Sequence, residues 1–125
     1  MKVDTLSPGT LAFVGDGVYG LLVRKALAEV NRPAGQLHEL SVKLVSAVAQ
    51  AHAMDTIEPL LTQKEIDVFK RGRNAHVKVP KSATSVDYHR ATGLEAMFGY
   101  LYLDGQIERT EILFNEIWET FSGNI

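Results

Sequence analysis

A helix that carries its own breakers constrains this chain more than any other stretch. In Leu11-Ala12-Phe13-Val14-Gly15-Asp16-Gly17-Val18-Tyr19-Gly20, residues Leu11, Val14 and Val18, followed by Leu22, recur at the i, i+3, i+7, i+11 spacing of one helical face. Three glycines interrupt it, and each costs about 1 kcal/mol against alanine in a helix interior. Helical geometry sets Asp16 nearly opposite the apolar stripe, in a row with Ala12 and Gly20 one turn either side. A carboxylate on a strip of small residues admits two readings. One is a surface acid beside a tight helix–helix crossing; the other is a place where a metal or a phosphate comes close.

A later segment repeats the pattern. Leu94, Met97, Phe98 and Leu101 form an apolar stripe, and Glu95 lies off it with Thr92 one turn before and Gly99 one turn after. Two helices remote in sequence thus each carry an acid one turn from a glycine, Asp16 with Gly20 and Glu95 with Gly99. Brought face to face, two such acids suit Mg²⁺, which keeps several waters and takes only one or two protein carboxylates beside substrate phosphates. His38, His52, His76 and His89 have no metal-ligand spacing, and there is no cysteine to supply a thiolate site or a disulfide.

The remaining pattern is helical throughout. Ser7-Pro8 starts a first helix that runs to about Ala28 and breaks at Asn31-Arg32-Pro33-Ala34-Gly35. A second carries Leu37, Leu40, Leu44, Val45 and Val48 and continues towards Ile57, where Pro59 ends it. Thr62-Gln63-Lys64-Glu65 is a capping box opening a third, which stops near Gly72. Arg73 to Ser85 lacks periodicity and reads as a loop. Thr84 or Ser85 caps a fourth helix, about Asp87 to Leu103, with Gly105 just past its end. A fifth, Ile107 to Phe121, turns Ile112, Leu113, Ile117 and Phe121 inward. The reading is all-α, with residues 1–125 forming one domain.

Charge is unevenly spread. Net charge is −2, yet residues 64–90 carry seven Lys/Arg against three Asp/Glu, and Lys70 to Lys81 holds five basic residues and no acid. A basic patch on an acidic body is the electrostatic footprint of a polyanion site. With no apolar run of membrane-spanning length and no signal-peptide pattern, the expectation is a cytoplasmic protein without a membrane partner.

Two of these stretches carry a resemblance. Leu11-Ala12-Phe13-Val14-Gly15-Asp16-Gly17-Val18 resembles the ribonuclease III signature, E-x-x-E-[FY]-[LVI]-G-D-[AGS]-[VL]. Leu94-Glu95-Ala96-Met97-Phe98-Gly99-Tyr100-Leu101-Tyr102-Leu103-Asp104-Gly105 is similar to that family's second acidic motif. Arg71-Gly72-Arg73-Asn74-Ala75, and the lack of any stretch resembling a double-stranded-RNA-binding domain, point to the mini-ribonuclease III branch. The resemblance implies an all-α ribonuclease III-type domain forming a two-fold homodimer, in which the aromatic at Phe13 enters a socket on the partner. It implies a Mg²⁺-dependent endoribonuclease (Mn²⁺ as substitute) acting on double-stranded RNA and leaving 5′-phosphate and 3′-hydroxyl ends. Asp16 and Glu95 would be the catalytic, metal-holding pair. The substrate implied for this branch is the ends of large-subunit (23S) ribosomal RNA precursor. Lys70, Arg71, Arg73, Asn74, His76, Lys78 and Lys81 would contact RNA, with Arg73 and Asn74 the foremost phosphate contacts. The acids that the larger family places four and seven residues before the aspartate fall on Ala12 and Gly9, and the one three before the glutamate on Thr92. That sparse set leaves an alternative: a catalytically degenerate dimeric module that binds RNA or ribosomes without cleaving.

Overall fold

The structure, a computed structural model, describes residues 1–76 and 78–123. These form six α-helices and two short 3-10 turns, with no strand among the described residues. The helices are α1 (Pro8–Leu27), α2 (Ala34–Leu44), α3 (Ala47–Ile57), α4 (Gln63–Arg73), α5 (Ser85–Leu103) and α6 (Ile107–Ser122).

The boundaries follow local chemistry. Ser7 caps α1, its side chain accepting from the Thr10 N–H at 3.2 Å, with Pro8 at the first position. The capping box of α4 closes in both directions: Glu65 N–H donates to Thr62 Oγ1 at 3.2 Å, and Thr62 N–H to Glu65 Oε1 at 2.9 Å. Thr84 caps α5 through the Asp87 N–H at 3.1 Å. Gly105 ends that helix with φ +81°, and the Gly105→Tyr102 (3.1 Å) and Gln106→Leu101 (2.8 Å) backbone bonds form a Schellman pair.

Helix α5 is the axis of the molecule. Every residue from Ala91 to Leu101 is buried except Glu95, so the expected stripe of four becomes an apolar surface on almost all sides. Helix α1 crosses it at Gly15 and Gly99. A Cβ on Gly15 would land on the Glu95 carbonyl, and one on Gly99 on the Leu11 carbonyl, so only glycine permits this backbone contact. Helix α4 lies on another side of α5, where a Cβ on Gly72 would sit 2.7 Å from that of Ala96 and one on Gly93 2.7 Å from the Phe69 ring. Tyr19 fills the interior edge-on to Phe98 and Phe114, with ring centroids 5.4 and 5.6 Å apart. Arg109 of α6 forks onto the buried Glu65 of α4 with two bonds of 2.9 Å and reaches the Leu60 carbonyl at 2.8 Å.

Four expectations need correction. The predicted second helix is two, because Ser46 restarts the chain as N-cap of α3, accepting from Ala49 N–H at 3.3 Å. Val48 accordingly sits half-exposed. The buried face of α1 is Leu11, Gly15, Tyr19, Val23 and Leu27, one residue round from the predicted stripe, and Val14, Val18 and Leu22 lie on its flank. In α6 the inward residues are Thr110, Leu113, Phe114 and Ile117, and Ile112 faces outward. Helix α4 ends next to the expected stop at Gly72, which lies buried in its last turn, but Arg73 belongs to the helix rather than the loop.

Candidate active site

The Gly15–Gly99 crossing determines what lies beside it. Asp16 follows the glycine on α1, and Glu95 precedes Gly99 by one turn on α5, so backbone contact at the crossing carries both acids to one side. They share an open cleft of about 430 Å³. Asp16, Ala12 and Phe13 form its α1 wall, Tyr88, Thr92 and Glu95 its α5 wall, and Val45, Ala47 and Gln50 its floor at the α2–α3 joint. The close contact runs through Gly15 rather than along the Ala12–Asp16–Gly20 row, where Gly20 meets only the Arg24 side chain. The tight crossing is the device that places the acids.

The electrostatics are those of a site short of positive charge. Burial, and then the Asp16 carboxyl within hydrogen-bonding reach, push Glu95 up to about 8 against an opposing hydrogen bond from Gln50. Among the described residues neither Asp16 nor Glu95 forms an ion pair, in contrast to Asp4, Asp55, Glu65 and Glu111. No group of three or more acids, histidines or cysteines suited to a metal occurs among the described residues. Two facing acids in a cleft open to solvent on one side nevertheless fit a hydrated hard divalent ion.

Sequence reasoning gave no role to three residues here. Gln50, almost fully buried, donates from Nε2 to Glu95 Oε2 at 3.3 Å and to the Val45 carbonyl at 3.0 Å. Tyr88 forms the cleft wall one turn into α5. Thr92, which stands where the larger family has an acid, is buried and donates its hydroxyl to the Tyr88 carbonyl at 3.0 Å.

The basic segment is divided by the fold. Arg71 sits near Lys64, which lies over the Tyr100 ring at 5.2 Å, whereas Arg73 turns onto Phe69 at 5.7 Å. Two residues apart on a helix, the two point in nearly opposite directions. Arg73 Nε donates to Asn74 Oδ1 at 3.2 Å, and Asn74 is the C-cap of α4. Lys70, His76, Lys78 and Lys81 are exposed, the last three in the loop that enters α5 one turn before Tyr88. None of the seven lines the cleft. Arg90, outside the predicted set, stacks on Phe69 beside Arg73 and pairs with Asp55 at 2.5 Å. Phe13 is 81% exposed at the rim.

Comparison with known proteins places the molecule. The ribonuclease III domain family matches residues 9–106. The chain is 47% identical over 109 residues to Mini-ribonuclease 3 of Thermoanaerobacter sp. (strain X514), covering 86% of this chain and 77% of that one. It is 46% identical over 112 residues to Mini-ribonuclease 3 of Symbiobacterium thermophilum, covering 87% and 86%. A crystal structure of a Fusobacterium nucleatum protein superposes with TM-score 0.85 at 28% identity, covering 90% of this chain and 93% of that one. No helix among the described residues is long and apolar enough to cross a membrane. With motifs, helical fold and relatives in agreement over most of its length, the chain belongs to the ribonuclease III family, in the mini-ribonuclease 3 branch, and is an endoribonuclease of that type.

Proposed function

We propose that the cleft holding Asp16 and Glu95 is the catalytic centre of a Mg²⁺-dependent endoribonuclease for double-stranded RNA, and that the working unit is a two-fold homodimer. The observation that carries this reading is the pair of acids without an ion-pair partner among the described residues, from helices 79 positions apart in sequence, facing each other in one open cleft. Mg²⁺ in such a site supplies activation of a water and neutralisation of the charge that develops on the scissile phosphate.

The chain's own residues supply position. Asp16 and Glu95 would hold the ion, positioned by a crossing at which a side chain on Gly15 or Gly99 would strike the opposing backbone. Tyr88 and the exposed loop carrying His76, Lys78 and Lys81 lie at the same end of α5, where a duplex would run. A-form RNA hides its base edges in a deep, narrow groove, so recognition there runs through phosphates and 2′-hydroxyls. Arg73, over the Phe69 ring, and Asn74 beside it are phosphate contacts in this reading.

The dimer is supported by an apolar face that the single chain leaves uncovered. Phe13 and Leu21 are 81% and 65% exposed on α1. Near them a hollow of about 390 Å³ is lined by Val14, Gly17, Val18, Leu21, Tyr102 and Ile107, of a kind to accept a partner's aromatic ring. A two-fold arrangement sets two acid pairs along one duplex, one for each strand. The substrate in this reading is precursor of large-subunit (23S) ribosomal RNA, trimmed in its double-stranded ends, and the compartment is the cytoplasm. Residues 1–125 act as one catalytic domain.

The test is incubation of a long RNA duplex with and without Mg²⁺, resolved on a denaturing gel, for wild type, Asp16→Asn and Glu95→Gln. Wild type should cut only with the divalent ion, and each substitution should slow cutting by at least about a hundredfold. Cleavage that persists in both variants removes the site assignment. Duplex binding with no Mg²⁺-dependent product in wild type would instead favour the non-cleaving module. A duplex copied from precursor ends should be cut faster than an unrelated duplex of equal length.

A further inference from the structure

The floor of the cleft holds a polar side chain that packing alone does not account for. Gln50 is 2% exposed on α3, where its neighbours Ala51, Ala53 and Met54 are buried apolar residues. Its amide orientation is fixed by two acceptors. Nε2 gives one hydrogen to the Val45 carbonyl at 3.0 Å and the other to Glu95 Oε2 at 3.3 Å, and a flipped amide would set oxygen against oxygen at both. The Val45 carbonyl belongs to the C-cap of α2, whose last carbonyls have no partner within the helix. Gln50 is therefore anchored to a rigid helix end by one hydrogen and holds the Glu95 carboxylate with the other.

The far end of the amide is the unusual part. Gln50 Oε1 is buried and has no hydrogen-bond partner among the described residues. An unsatisfied buried acceptor costs roughly 1–3 kcal/mol, and an apolar side chain of similar size would avoid that cost. What the amide supplies in return is its donor end, held between the Val45 carbonyl and Glu95.

We infer that Gln50 is the positioning residue for Glu95: Nε2 pins Oε2 and aims the carboxylate across the cleft at Asp16, where the pair would hold a hydrated divalent ion. This rests on the reading of Asp16 and Glu95 as the ion-holding pair. It extends that reading to the α2–α3 joint, which neither acidic motif includes. Such outer-shell partners typically contribute ten- to hundredfold to metal affinity or activity.

The test replaces Gln50 with methionine, of nearly the same length but without donor or acceptor. Calorimetric titration of Mg²⁺ and Mn²⁺ into wild type, Gln50→Met and Asp16→Asn is done without RNA, beside single-turnover cleavage of a duplex. Gln50→Met should bind the ion roughly tenfold or more weakly and cleave at least about tenfold more slowly, with KM for RNA within about twofold of wild type. A role limited to capping α2 would lower the melting temperature and leave ion binding and turnover intact, and that result overturns the inference. Should the variant fail to fold, the wild-type Gln50 side-chain amide serves as its own probe in nitrogen-15 NMR. Its NH₂ signals should broaden with substoichiometric Mn²⁺; signals untouched while those of Asp16 broaden overturn the proposal. If Asp16→Asn binds the ion as wild type does, the acid-pair reading fails and the inference with it. If only Asp16→Asn is impaired, the acid pair stands and Gln50 is excluded.

Discussion

At the scale of single residues, the glycines divide by what surrounds them. Gly15 and Gly99 touch the opposing backbone, so Gly15→Ala or Gly99→Ala must push α1 and α5 apart. Each should cost more than about 3 kcal/mol, enough to abolish the cooperative melt followed by circular dichroism. Gly35 sits in the first turn of α2, and a methyl group added there would meet nothing within 4 Å. Gly35→Ala should therefore be neutral or gain about 0.5 kcal/mol in the same measurement. The sequence displayed all these glycines alike. It pointed to the Ala12–Asp16–Gly20 row as the place of close approach, whereas the contact is at Gly15, because the Glu95 carbonyl is reached only through the fold. Gln50 was illegible for a related reason: a glutamine among alanines on a helix looks like a surface residue until its neighbours across the cleft are known.

At the scale of elements, caps were readable and long-range ties were not. Thr62 and Glu65 announce the start of α4 within four residues, but the same Glu65 also receives Arg109 from 44 positions away. Burial works to raise the Glu65 carboxyl, yet its hydrogen bonds from Arg109 and Thr62 outweigh that and hold it below the usual carboxylate range. A folded-state value below the unfolded one means stability that is present above about pH 4.5 and is lost as pH falls through the lowered value. Glu65→Gln should lower unfolding free energy by about 2–3 kcal/mol at pH 7 in urea denaturation. The gap to wild type should close as pH falls through the lowered value. A gap that stays constant with pH would show that the carboxylate's charge is immaterial. Ser46→Ala, which removes the cap that restarts the chain at α3, should cost about 1 kcal/mol.

At the scale of the whole molecule, one face of α1 serves the interior and the other is left bare. Phe13 makes no demand on the intrachain core, so Phe13→Asp should leave helicity and melting nearly unchanged in dilute protein. In the dimer reading the same substitution turns a two-chain species into a monomer by sedimentation and reduces duplex cleavage. Wild type sedimenting as a monomer at micromolar concentration would remove the dimer from the account. The basic segment belongs to this scale too. Its sequence density suggests one patch, but helical geometry sends Arg71 towards Lys64 and Arg73 onto Phe69. Arg73→Ala and Lys78→Ala should each weaken RNA binding and flatten its salt dependence by about one counterion, whereas Arg71→Ala should do less.

The sequence by itself determined the helices, their caps and stops, the family, and the presence of an acid beside a glycine on two of them. Those properties depend on neighbours within a turn or two, and short-range periodicity records them faithfully. Only the tertiary structure decided which face of α1 and α6 turns inward, that the second helix is broken at Ser46, and that the basic residues part company. It alone brought Asp16, Glu95 and Gln50 to one cleft. A periodic stripe fixes a helix face only to within about a residue, some 100° of rotation, and carries no information about what packs across it. The crossing at Gly15 and Gly99 supplies that missing rotation, because close backbone contact is possible at one orientation of the two helices and not at its neighbours.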